Sequence, residues 1–187
     1  MEENIEIEER GRKVTIDLKK ANNFGFAVMG VVTVVLAVPF FLIWGLPVHS
    51  IGFIHNPWLL LYYFIGMLAG IVLHELIHGI TWACYAKSGW RSISFGVIWK
   101  MLTPYCHCSE PMGVRAYMLG SMMPCIILGI RPAIAAMCTG DFLLLVWGIS
   151  FIGAAAGDIW IMWLLTKENP KSMVLDHTSE AGFYIID

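Results

Sequence analysis

Charged side chains are scarce in this 187-residue chain, at 14% of the positions against 58% that are hydrophobic. A soluble domain typically carries charge at about 25% of its positions. The two signs are mixed, and the formal net charge is -2, so the chain has no basic stripe of the kind that binds nucleic acid. The composition argues against a soluble domain and predicts an integral membrane protein with no nucleic-acid partner.

Paired cysteines and repeats are also lacking. The five cysteines are an odd number, scattered from position 84 to position 138 without the spacing of a disulfide framework. No internal repeat or low-complexity linker divides the chain. We therefore expect a single domain that covers residues 1–187.

Long apolar runs are abundant. Four of them approach or exceed the ~20 residues that a helix needs to cross the hydrocarbon layer, and they cover residues 24–44, 57–86, 116–138 and 142–165. Pro124 and Pro132 interrupt the third run, which is either a kinked helix or a shorter span followed by a surface segment. The predicted fold class is all-α integral membrane, with about four transmembrane helices.

The basic residues predict how these helices are oriented. With both termini in the cytoplasm, an arm (1–23), a middle loop (87–115) and a tail (166–187) face that side, and of the twelve Lys and Arg residues only Arg131 lies outside. We therefore predict a multi-pass protein of the cell membrane, in contact with lipid, with both termini cytoplasmic. Cysteines of the middle loop then face a reducing compartment, so no structural disulfide is expected.

Short stretches outside the helices alternate apolar and polar residues, which is typical of strands. They lie in the N-terminal arm, where the pattern suggests a hairpin, at residues 93–99, and at residues 183–186. A small cytoplasmic β element is predicted beneath the helices.

The second apolar run contains the sequence His-Glu-Leu-Ile-His at positions 74–78, an HExxH motif. On a helix, His74 and His78 are one turn apart on one face and can bind the same Zn²⁺, while Glu75 can reach a water molecule beside the metal. Zinc lowers the pKa of such a water and polarises a carbonyl, and the glutamate accepts the proton. Because these polar groups are costly to bury in lipid, the motif predicts a hydrolytic site within the membrane.

Two histidines need a third protein ligand, and Asp158 is the best candidate. His78 lies nine residues before Lys87 and Asp158 lies nine before Lys167, on two helices that run in the same direction. At 1.5 Å per residue both lie roughly 13 Å above those basic residues. Asp158 is therefore predicted to meet the histidines, the other interpretation being a pore or cap residue.

Small residues on both helices favour that contact. Gly66 and Gly70 form a GxxxG pattern that His74 and His78 continue, and a Gly-Ala segment at 153–157 precedes Asp158. Small residues let helices approach closely in lipid. The other interpretation is a generic packing motif.

A second group of metal-binding residue types lies in the middle loop and the tail. It consists of Cys106, His107, Cys108, Asp176 and His177. Adjacent ligands strain a shared tetrahedral site, so a loop packed against the membrane surface is expected, with His107 or one thiolate as a lesser candidate for contact with the metal. We predict these five residues as neighbours of the metal ligands.

The chain resembles a bacterial membrane family of unknown function whose members are labelled putative zincin peptidases. The resemblance lies in His-Glu-Leu-Ile-His-Gly, Phe95-Gly96, Pro104-Tyr105-Cys106-His107-Cys108, Gly157-Asp158 and Asp176-His177. That family is distantly similar to site-2 proteases, and the resemblance implies that His74, His78 and Asp158 are ligands and that Glu75 is the base. The chain departs from site-2 proteases in having Ala-Gly-Asp in place of a Leu-Asp-Gly type motif.

The sequence thus predicts a zinc-dependent membrane endopeptidase that hydrolyses peptide bonds in or near the cytoplasmic side of the membrane. Its substrate would be a peptide or a membrane protein. The alternative is a non-catalytic zinc-binding membrane scaffold or adaptor. A metal transporter is disfavoured, because the polar residues cluster at one depth and do not form a path.

Overall fold

The computed structural model describes residues 11–46, 56–99, 103–177 and 182–187. Within these residues, six helices and six strands follow one another. They are β1 (Arg12–Thr15), α1 (Leu18–Trp44), α2 (Pro57–Ala83), β2 (Ile93–Ile98), β3 (Thr103–Cys108), β4 (Met112–Gly113), α3 (Val114–Pro124), α4 (Arg131–Thr139), α5 (Phe142–Ala154), α6 (Ala156–Leu165), β5 (Met173–Asp176) and β6 (Gly182–Ile186). A 3-10 turn, Gly89–Ser92, precedes β2, and a π-helical segment, Cys125–Ile130, joins α3 to α4.

The helices have the length and composition of membrane spans. Three continuous ones qualify, at 20–44, 57–83 and 114–139, and a fourth qualifies if the bent pair α5 and α6 is one span. The structure is thus mostly helical with small sheets, as predicted. The division into one domain with membrane-spanning and cytoplasmic segments stays a prediction.

Two of the four helical segments are interrupted. The third contains a π-helical segment directly after Pro124 but runs as one helix from residue 114 to residue 139, so it is not divided into a shorter helix and a separate piece. The fourth bends by 47° between α5 and α6. The sequence did not predict this bend, which places Asp158 in the first turn of α6.

The strands form two small antiparallel sheets. One has the order β1-β6-β5-β4, and the other consists of β2 and β3. The predicted strands at 93–99 and 183–186 correspond to β2 and β6. The partner of β1 is β6, with Val14 opposite Phe183. The other half of the expected N-terminal hairpin falls in residues 1–10, outside the described residues.

A buried cluster joins the four-stranded sheet to the helices. Trp82 at the end of α2, Tyr117 in α3 and Phe183 in β6 belong to it, and Leu165 closes it from α6. Trp82 and Tyr117 stack at 5.1 Å between ring centroids, and Tyr117 contacts Phe183 at 6.2 Å. These stacked rings fix the C-terminal end of α2, one turn beyond His78.

The expected glycine contact between the second and fourth helical segments exists only in part. A Cβ on Gly70 would lie 2.3 Å from the ring of Phe151, so the missing side chain leaves room for that ring against α2, while Gly66 has ordinary clearance of 3.6 Å from Trp147. The prediction that the Gly-Ala segment forms the other side is wrong. Gly153 faces Met29 of α1, and the Cβ position of Gly25, also in α1, lies 3.7 Å from Ala156.

Candidate metal centre

The two histidines of the motif lie on one buried face of α2. His74 is 7% exposed and His78 is 4% exposed. Their ring centroids are 4.9 Å apart, and the rings are nearly perpendicular at 75°. The one-turn spacing thus brings both imidazoles to the same point without stacking them.

Asp158 reaches that point from α6. Its Oδ2 lies 3.2 Å from Nε2 of His74, and its Oδ1 lies 3.4 Å from Nε2 of His78. One ligand atom from each of the three residues lies within 4.8 Å of the others. The predicted meeting of Asp158 with the two histidines is therefore observed, and their role as ligands is treated as a proposal below.

The hydrogen bonds of His78 determine what can lie between the three side chains. Its Nδ1 is 2.9 Å from the carbonyl oxygen of Gly120. A carbonyl only accepts, so Nδ1 carries a proton, and when the ring is neutral its Nε2 presents a lone pair to the Asp158 carboxylate. A lone pair and a carboxylate oxygen at 3.4 Å require a proton or a cation between them.

His74 directs its Nε2 to the same carboxylate. Its Nδ1 is buried and has no hydrogen-bond partner in the described part of the chain, while its Nε2 points to Asp158. Two imidazoles and one carboxylate are the donor set of hydrolytic zinc sites that keep the fourth position open. The residues present fit a zinc ion with three protein ligands.

Glu75 borders the cluster from the next position on α2. It is half-buried, it lies close enough to His74, His78 and Asp158 to interact with their charges, and the Cys106 backbone faces its carboxylate. The carboxylate is thus placed beside the three-residue cluster and not within it. This is the placement that a general base requires.

The Cys-His-Cys segment lies in β3 and is held by Asp176. The Cys108 N–H donates to Asp176 Oδ2 at 3.0 Å, the Tyr117 hydroxyl donates to Oδ1, and His107 Nδ1 lies 3.6 Å from Oδ2. Burial raises the pKa of the Asp176 carboxyl, and burial likewise raises the pKa of the Cys108 thiol. A protonated thiol is a poor zinc ligand, because the thiolate is the coordinating form.

Four of the five predicted neighbours of the ligands are therefore placed around β3. Cys106 faces Glu75, and burial raises the pKa of its thiol. His177 instead stacks on Tyr184 at 5.0 Å in the four-stranded sheet, and its backbone N–H donates to Gly182. Whether these residues influence a bound metal stays a prediction.

Two residues that orient His78 escaped the sequence analysis. Gly120 provides the carbonyl that accepts from its Nδ1, and the indole of Trp82 stacks on its ring at 5.1 Å and 18°. Trp82 follows His78 by four residues, which is a spacing that brings helical side chains together. Gly120 lies on another helix, α3. The sequence signal for its free carbonyl was its position four residues before Pro124.

Comparison with known proteins gives one match. No curated protein and no solved structure is similar to the chain at a significant level. A family model does match residues 67–173, a region that begins in α2 ahead of the HExxH motif and extends past Asp158 to the start of β5. Since this is more than half of the chain, the protein belongs to the family described as "Putative zincin peptidase".

Proposed function

We propose that the protein is a zinc-dependent membrane endopeptidase, related in its site to the site-2 proteases. The observation that carries the proposal is the convergence of His74, His78 and Asp158 beside Glu75, on helices long and apolar enough to cross a bilayer. Membership in a zincin peptidase family supports the reaction class. The distances and the donor set support the metal.

Each residue has a separate task in this proposal. A bound zinc ion would supply Lewis-acid polarisation of the scissile carbonyl and acidify a water. Glu75 takes the proton from the attacking water and delivers it to the leaving amine. His74, His78 and Asp158 hold the ion, and the Gly120 carbonyl keeps the His78 ring in one orientation.

The proposed substrate is a peptide segment that is membrane-anchored or locally unfolded. His74 and His78 are almost completely buried, and Glu75 is half-buried, so a folded domain cannot bring a peptide bond to them. An extended segment can enter between helices, and its backbone carbonyl can then reach the centre. We place this reaction near the cytoplasmic side, because Asp158 precedes the basic residue Lys167 by only about two and a half turns of helix.

The first prediction concerns metal and activity. Protein purified in detergent is expected to contain about one zinc per chain by elemental analysis, because three donors converge on one point. Removal of the metal with a chelator should abolish cleavage of an unfolded or membrane-anchored peptide, and added zinc should restore it. The proposal fails if the His74→Ala and His78→Ala variants retain as much zinc as the natural chain.

The second prediction concerns orientation, and two natural cysteines test it. Cys84 at the end of α2 and Cys138 in the last turn of α4 are both exposed, and they lie on opposite sides in the proposed topology. A membrane-impermeant maleimide added to intact cells should label Cys138, and Cys84 only after the membrane is opened. Cys84→Ala and Cys138→Ala variants identify the labelled site. Labelling of Cys84 in intact cells would show that the orientation is opposite to the proposed one.

A further inference from the structure

We propose that Pro124, acting through the carbonyl of Gly120, is a positioning residue that fixes the metal-binding orientation of His78. The inference deepens the proposed function and rests on it, since it assumes that His78 binds zinc. Neither Pro124 nor Gly120 belongs to the metal-binding set of His74, His78 and Asp158. Their effect is transmitted by one hydrogen bond, His78 Nδ1 to Gly120 O at 2.9 Å.

The argument begins with the hydrogen bonding of α3. In an α-helix the carbonyl of residue 120 accepts from the N–H of residue 124. Residue 124 is proline, which has no N–H. The carbonyl that an ordinary helix would use internally is therefore available to a side chain of another helix. In this structure the Nδ1–H of His78 in α2 donates to that carbonyl.

The side chain of residue 120 matters for the same contact. A Cβ at Gly120 would lie 2.0 Å from Nε1 of Trp82 and 2.2 Å from its Cδ1. Any larger residue would move Trp82 or push α3 away from α2. Trp82 also stacks on His78 and donates from Nε1 to the Tyr117 carbonyl at 3.2 Å, so its position is linked to that of the His78 ring.

The His78 ring is consequently fixed in three directions. Trp82 covers one face of the ring, the Gly120 carbonyl accepts from Nδ1, and Nε2 is directed to Asp158. Holding the proton on Nδ1 commits Nε2 to the metal, and it also makes the ring a stronger ligand. Loss of such an outer hydrogen-bond partner typically weakens metal binding by about 10- to 100-fold.

The experiment replaces Pro124 with Ala. The new N–H at position 124 can donate to the Gly120 carbonyl and compete with His78, so zinc affinity, titrated against a competing chelator, is expected to fall by about tenfold. Pro132→Ala, in the same helical segment but eight residues further on, is the matched control and should leave zinc affinity unchanged. Thermal melting of each metal-free variant separates a loss of positioning from a loss of folding.

A measurement on the zinc-loaded natural chain keeps the inference testable if Pro124→Ala does not fold. Histidine-selective ¹⁵N labelling should show His78 bound to the metal through Nε2, with a proton on Nδ1 that exchanges slowly with solvent. The His78 signal is identified by its loss in His78→Gln. Coordination through Nδ1 would overturn the inference.

The remaining outcomes separate the two proposals. Equal zinc affinity of folded Pro124→Ala and the natural chain would overturn the positioning role alone. A natural chain that binds no zinc would overturn the metal site and the positioning role together. A tenfold loss in Pro124→Ala, with Pro132→Ala unaffected, supports both.

Discussion

Replacement of Glu75 by Gln is expected to abolish peptide cleavage while the zinc stays in place. The amide has nearly the shape of the carboxylate but cannot accept the proton of the attacking water, and general-base catalysis of this kind contributes roughly 10²- to 10⁴-fold. Glu75 lies beside the three donors and is not one of them, so the metal content should not change. Cleavage rates and zinc content are measured on the same preparation.

Glu168→Gln is the matched control for this experiment. Glu168 pairs with the exposed side chain of Arg12 in β1 and is not one of the three clustered donors, and such surface pairs contribute little to stability. Its cleavage rate should equal that of the natural chain. If Glu75→Gln also cleaves at the natural rate, Glu75 is not the base. If Glu75→Gln preserves the cellular function while His74→Ala destroys it, the protein is the non-catalytic zinc scaffold that the sequence left as an alternative.

Replacement of Asp158 by Ala is expected to lower both zinc affinity and peptide cleavage, because it removes one of the three proposed metal ligands. Zinc affinity should fall by more than the roughly 10- to 100-fold that the loss of an outer hydrogen-bond partner costs. Cleavage should fall with zinc occupancy, and metal content should drop well below one per chain. Titration with a competing chelator measures the affinity directly.

Asp141→Ala provides the comparison for Asp158→Ala. Asp141 caps α5, where its side chain accepts from the Leu144 N–H at 3.0 Å, so its loss costs about 1 kcal/mol of stability without touching the metal centre. Zinc affinity of that variant should match the natural chain. If Asp158→Ala binds zinc as tightly as Asp141→Ala does, the third ligand is another residue.

The candidate centre was predictable where its geometry depends on local spacing or on depth. The one-turn separation of His74 and His78 is a property of any helix. Asp158 was identified from the predicted topology, in which the two helices run in the same direction and the basic residues at their ends mark one depth. Neither inference requires knowledge of how the helices pack, which is why both agree with the observed distances.

The features that the sequence did not predict depend on contacts between distant parts of the chain. The 47° bend before Asp158 has no proline to indicate it, and the contact of Gly153 with Met29 of α1 is between residues far apart in the sequence. The pairing of β1 with β6 joins positions more than 160 residues apart, and local alternation specifies a strand without naming its partner. Gly120 has no side chain and contacts His78 through its backbone carbonyl, so this contact can be recognised only in the packed structure.

The order of the four-stranded sheet has a consequence for biogenesis. β1 emerges from the ribosome early, yet its neighbour β6 and the strand that carries Asp176 are synthesised after the six described helices. Pairings of such long sequence separation form slowly, because the intervening chain must first be brought together. The sheet, and with it the anchoring of β3 through Asp176, can therefore close only after these six helices have been made. A nascent chain carries the two histidines of α2 long before their surroundings are complete, which would restrict mature activity to fully synthesised molecules.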